Sequence, residues 1–127
     1  MSSTPRLRLR VQVAAYALEH APNRRGPLDD AWIALVRAPE GLTVIREAAP
    51  DTAPADRWVG LYDADAGHGL DVPGLLASVV GPLAAAGVPV FVASTYHADL
   101  VLVPEPKWDA ATVALRAAGH TIVDAAG

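Results

Sequence analysis

Two short polar segments hold most of the residues in this chain that could do chemistry. Residues 64–74 (ADAGHGLDVPG) carry three glycines, together with Asp71 and Pro73. Residues 94–99 (STYHAD) offer Ser94, Thr95, Tyr96, His97 and Asp99. Glycines let a ligand approach the backbone closely. Free N–H groups at a helix N-terminus attract an anion such as a carboxylate. If the two loops are neighbours, the pair suits a zwitterion, with its carboxylate on the first loop and its ammonium on Asp99. The plain alternative for the first segment is a connecting loop.

Other chemistries find less support. Residues 94–99 contain the types needed for a nucleophile but lack the strained GxSxG turn that activates a serine. Phosphate-loop patterns are absent. The four histidines, His20, His68, His97 and His120, form no close ligand pair and no HExxH helix. His68 and His97 both fall in loops and could meet, but no third ligand is evident. A metal-assisted enzyme is therefore the third-ranked reading, and no cofactor is expected. His120 follows a helix stop, where a cation complements the dipole, and reads as a cap. The chain has no cysteine, which removes disulfides, thiol nucleophiles and thiolate metal sites.

The elements that must position these loops follow from periodicity. Arg6, Arg8 and Arg10 alternate with Leu7, Leu9 and Val11, so residues 6–13 read as a strand with one wet face. Residues 14–30 start with a helical turn and become a Pro/Gly/Asn/Asp-rich loop. Residues 31–37 (AWIALVR) and 42–46 (LTVIR) flank the turn Ala38-Pro39-Glu40-Gly41 and predict a hairpin. Residues 47–56 hold two prolines and no large apolar side chain, and mark a boundary. Beyond it, residues 57–63 (RWVGLYD) alternate as a strand, with Trp58, Gly60 and Tyr62 on one face and Val59 and Leu61 on the other.

A helix follows from Val72, with Leu75, Leu76, Val79, Val80 and Leu83 as one apolar stripe. Asp71 is placed at or just before its N-cap. Pro82 should end or kink it a turn early, and Gly87 stops it. Residues 88–94 (VPVFVAS) and 99–103 (DLVLV) read as strands. Residues 104–118 form a second helix, stopped by Gly119, and 121–124 a last short strand. The order over 57–124 is β-α-β-β-α-β, the split βαβ or ferredoxin-like arrangement of an α+β protein. Two helices cover one sheet face. The N-terminal strand and hairpin, or a second copy of the chain, should cover the other.

Bulk properties agree with a folded domain. Of 127 residues, 52% are hydrophobic and 19% charged, so a packed core is expected rather than disorder. Apolar stretches break before the ~18 residues of a membrane helix, and the arginine-rich start lacks the apolar block of a signal peptide. The expected compartment is the cytoplasm, with no membrane partner. A net charge of −4 argues against nucleic acid. A core this thin gains from further burial, and a two-fold homodimer is the expected assembly.

At residues 70–104 (LDVPGLLASVVGPLAAAGVPVFVASTYHADLVLVP) the sequence resembles the ACT-type segment of small bacterial proteins. The same segment occurs in the cytosolic arginine sensors of the CASTOR type and is related to regulatory domains of aspartate kinases. Residues 31–47 (AWIALVRAPEGLTVIRE) resemble the N-terminal hairpin of that family. The resemblance implies an ACT domain at 57–127 preceded by an incomplete ACT-like half at 1–56. It also implies a non-enzymatic regulatory module whose partner is a small molecule, an amino acid. Carried over by position, the implied ligand-binding residues are Gly69, Leu70, Asp71, Val72, Pro73 and Gly74 in the first loop. In the second they are Ser94, Thr95, Tyr96 and Asp99.

Two departures fall in the implied pocket. His97 and Ala98 replace the first Asp and Thr of the family's DTD stretch, and the loop before the first helix is about two residues short. The alternative function is therefore an interaction or assembly module that has lost its ligand.

Overall fold

The computed structural model describes residues 5–22, 30–65 and 73–125. Among these, seven strands and two helices follow the order β1 (Arg8–Ala21), β2 (Trp32–Ala38), β3 (Gly41–Glu47), β4 (Trp58–Asp63), α1 (Leu75–Ala85), β5 (Phe91–Ser94), β6 (Asp99–Pro104), α2 (Trp108–Ala117) and β7 (Thr121–Val123). Single 3-10 turns at Pro54–Asp56 and Glu105–Lys107 precede β4 and α2. The protein is α+β, built on one largely antiparallel sheet.

The predicted hairpin is present, with β2 and β3 paired antiparallel from Trp32↔Arg46 to Ala38↔Gly41. The predicted helical turn after residue 13 is not. β1 instead continues to Ala21, because its second half finds a partner in β3, from Tyr16↔Glu47 to Ala21↔Leu42. Alanine-rich sequence takes the strand state when pairing and packing supply what local propensity lacks.

The sheet runs β2-β3-β1-β4-β6-β5. β7 pairs parallel with β1 at residues 8–10, end to end with β3 along the same edge. This differs from the expected split βαβ pairing. The elements of residues 58–123 occur in the expected order, but β1 stands between β4 and β7, which that arrangement would make neighbours. A β-bulge makes room for the long strand. Val11 pairs with Leu61 and Ala15 with Val59, so three residues of β1 lie opposite Gly60 alone. A Cβ on Gly60 would come within 2.5 Å of the Tyr16 ring, so only glycine lets that ring lie on β4.

Alternation along β6 divides the core. Val101 and Val103 face α1 and α2, packing with Leu9, Leu61, Val79, Leu83, Ala111 and Leu115. Leu100 and Leu102 face the other way and pack with Tyr16 and Ile45, flanked by Leu18, Trp58, Tyr62 and Phe91. The N-terminal strands therefore close the face that the helices leave open.

Both helices end in the same way. Gly87 and Gly119 have φ of 73° and 96°. The next residues, Val88 and His120, donate back to Leu83 and Leu115 across the last turn, at 2.9 and 3.0 Å. These are Schellman stops, and glycine takes the left-handed position at no steric cost. At its start, α1 has Gly74 rather than Asp71 as N-cap, and among the described residues no side chain caps it. Pro82 neither ends nor shortens α1, which runs to Ala85.

Candidate functional site

Two strand ends meet at the N-terminal end of α1. Tyr62 pairs with Leu100, so one step further in the same register Asp63 stands across from Asp99. Their faces follow from Leu61 and Val101, which both belong to the helix-side core. Both carboxylates thus turn towards α1 and line one cleft with Ala98, Leu75, Leu76 and Leu7. The cleft is about 30 Å³, room for a single water-sized group. Asp63 is only 6% exposed. Its Oδ1 accepts the Asp65 N–H at 2.9 Å, and Asp65 in turn pairs with Arg8 at 2.7 Å. On the other side, Ser94 Oγ donates to Asp99 Oδ1 at 2.5 Å and orients it.

The turn between β5 and β6 is organised by Thr95. Its Oγ1 donates to Ala98 O at 2.9 Å and accepts the N–H groups of Ala98 and His97 at 3.1 and 3.3 Å. With that proton committed, Tyr62 OH is the donor in the 2.7 Å bond to Thr95 Oγ1. Thr95 is therefore a turn-former. Tyr96 is 74% exposed, edge-on to the His97 ring at 5.2 Å.

Of the residues singled out in the sequence, Asp99 lines the cleft and Ser94 orients it. Thr95 and Tyr96 form the adjoining turn, and Pro73 and Gly74 precede the first turn of α1 as exposed residues. Gly69, Leu70, Asp71 and Val72 lie outside the described residues, as does His68. Sequence reading missed Asp63. Its signal was an acid ending an apolar strand just before a glycine-rich loop, where binding residues concentrate.

His120 does not serve as the helix cap that its position after the stop of α2 predicts. Its ring is 4% exposed. Leu7 N–H donates to Nδ1 at 3.0 Å, so Nε2 carries the proton and donates to Ser78 O at 2.7 Å. Ser78 O is the carbonyl four residues before Pro82, which has no N–H to offer it. The imidazole replaces the missing helical bond and ties α1 to the N-terminal strand. Leu7 and Val79, next to the two bonded groups, both line the cleft, so His120 holds two of its walls together.

Residues 55–117 match the family model of the ACT domain. ACT domains are commonly regulatory modules that bind small molecules, and they often dimerise. Here the matching segment contains both carboxylates, α1 and the Thr95 turn. The fold is similar to that of Atu0741 from Agobacterium tumefaciens, with a TM-score of 0.79 at 22% identity, covering 97% of this chain and 96% of that one. It is also similar to VC0802 from Vibrio cholerae, a protein of unknown function described as a possible transport protein. That likeness has a TM-score of 0.67 at 26% identity over 88% of this chain and 89% of that one. Coverage this complete makes β1 to β3 part of the shared fold. No curated protein matches the sequence. Among the described residues, no helix is long and apolar enough to cross a membrane.

Proposed function

We propose that the chain is a non-enzymatic module that binds a small amine-bearing molecule, an amino acid in the simplest case, where α1 meets the ends of β4 and β6. The facing pair Asp63 and Asp99 carries this reading. Two carboxylates lining one cleft give an ammonium group two charge-assisted acceptors. A cleft of about 30 Å³ suits an ammonium group and not a whole side chain. The ligand's carboxylate would then lie at the start of α1, by Pro73 and Gly74, where backbone N–H groups and the helix dipole favour an anion. Its side chain would pass over the surface towards Tyr96.

The match of residues 55–117 to the ACT family supports a regulatory role. We read the chain as akin to the small CASTOR-like bacterial proteins. Residues 1–56 are then the incomplete first ACT-like half, and 57–127 a ferredoxin-like second half into which β1 is inserted.

The test is a thermal-shift screen of the full chain against the twenty amino acids and small primary amines, followed by calorimetry with any hit. One ligand class should raise the melting point by several degrees, since a hundredfold excess over Kd adds about 2.7 kcal/mol. Asp99→Asn should weaken that binding by roughly 1.5–3 kcal/mol, the worth of a charged hydrogen bond. No response to any compound by either method would sink the reading and leave the interaction module in its place.

A further inference from the structure

His120 is buried, and both of its ring nitrogens are committed to main-chain groups. Only the neutral ring with its proton on Nε2 can make both bonds, because the charged ring is a donor at both nitrogens. A proton added at Nδ1 would point at the Leu7 N–H, donor against donor. The bond to Ser78 O would survive, since a charged donor strengthens it. Acid therefore cuts one of the two ties and leaves the other. The severed tie is the one on Leu7. That residue keeps its other main-chain bond, in which Leu7 O accepts the Thr121 N–H at 2.9 Å. The break thus falls at the entry to β1 and not within the sheet.

We propose that His120 is an acid-released latch: protonation at Nδ1 frees the Leu7 amide, residues 5–7 lift from α1, and the cleft loses the wall that Leu7 gives it. Leu7 lines that cleft, as does Val79, the neighbour of Ser78. The charged groups around the ring are few. α1 carries none. The approach to β1 brings Arg8, which pairs with Asp65, and Arg6, whose Nε lies 3.0 Å from where a Cβ on Gly119 would stand. α2 adds Asp109 in its first turn and Arg116 in its last, and Asp124 follows β7. The carboxylates Asp63 and Asp99 share the cleft with Leu7. Among the described residues none of these bonds the ring, whose nitrogens are taken by Leu7 and Ser78. Arg6 sits on the segment to be released, and its charge repels the imidazolium that acid creates. For the binding reading given above, the consequence is weaker binding in acid. That consequence rests on the reading, whereas the latch does not.

Nuclear magnetic resonance on the isotope-labelled full chain, with no ligand added, tests this. At about pH 8 the His120 ring should show the Nε2-protonated tautomer alone, and the Leu7 amide should be protected from exchange. Between about pH 8 and pH 5, the range in which histidine changes charge, the Leu7 amide signal should move together with the His120 ring signals. Its protection should fall roughly tenfold, as expected for the loss of one hydrogen bond. The amides of Val101 and Val103, in the middle of the sheet, should keep theirs. His120→Gln keeps an acceptor and a donor in one side chain without a titrating group, so its Leu7 amide should stay protected over the same range. His20 and His97 are exposed and common to both proteins, so the difference belongs to His120. If the glutamine variant does not fold, the wild-type titration alone decides. A Leu7 amide that keeps its protection while the ring becomes charged overturns the proposal. So does a ring still neutral at about pH 5, or a Leu7 amide lost only together with Val101 and Val103, which is general unfolding. A folded His120→Gln that loses Leu7 protection as steeply as the wild type overturns it too.

Discussion

The two faces of β6 are both dry, but different parts of the chain cover them. Val101 and Val103 are covered by α1 and α2, which follow β4 and β6 closely in sequence. Leu100 and Leu102 are covered by Tyr16 and Ile45, which arrive from the far end of the chain. The first core is built mostly within the ACT-matching residues 55–117, and the second cannot form without β1 and β3. A sheet buried on both faces needs a layer on each side. Here the second layer is the sheet's own N-terminal strands, and the two parts should fold as one unit.

The largest expected effects compare the two cores directly. Leu83 on the helix side and Leu102 on the strand side are both fully buried. Leu83→Ala and Leu102→Ala should each cost about 2–5 kcal/mol in urea unfolding. Both variants should keep one transition, coincident by tryptophan fluorescence and far-ultraviolet circular dichroism. Two separated transitions would mean that the halves fold independently.

His120→Ala cuts the tie between the N-terminal strand and α1. It leaves Ser78 O and the Leu7 N–H without their partner, at about 1–3 kcal/mol for a buried group. Restoring the helical bond by Pro82→Ala in the same chain should recover part of the loss. If the double variant is no more stable than His120→Ala alone, the imidazole is not standing in for the missing N–H.

Gly60→Ala attacks the bulge where the strand-side core is anchored. Its Cβ would meet the Tyr16 ring at 2.5 Å, so the ring must shift, at about 1–3 kcal/mol of overpacking. A melting point equal to wild type would show that the ring has room to move.

The smallest effect is alkaline. Tyr16 is held above its ordinary pKa of 10.0, first by burial and then by the charge of Glu47, its cross-strand neighbour. The fold favours the neutral phenol. Its contribution to stability is complete below pH 10.0 and is lost as pH rises through the folded value. Urea midpoints of the wild type should therefore fall more steeply above that pH than those of Tyr16→Phe. Parallel curves for the two proteins would contradict this.

Much of the fold was legible because it is written in short-range patterns. The alternation of Trp58, Gly60 and Tyr62 against Val59 and Leu61 is the division seen between the two cores. The stripe of α1, the stops at Gly87 and Gly119, and the β2–β3 turn are likewise local. The second half of β1 was not legible. Residues 14–21 have no strong period of their own, and they are a strand because β3 lies beside them. The site divides in the same way. Ser94 and Asp99 are close in sequence, and their polar types drew attention to them. Asp63 became part of the site only when β4 and β6 paired in register.

By itself the sequence determined the order and type of the elements from Trp58 onward, the apolar faces, and the polar turn at 94–99. Each of these depends on residues within a few positions of one another, where periodicity and turn chemistry act. Only the tertiary structure decided that β1 stands between β4 and β7, that Asp63 faces Asp99, and that His120 completes the bond Pro82 cannot make. These depend on strand register and on contacts between residues far apart in the chain: Leu7 and Ser78 both reach His120, 113 and 42 positions away. No local pattern encodes such a distance. It is set by which packing buries the most apolar surface while leaving every buried polar group with a partner.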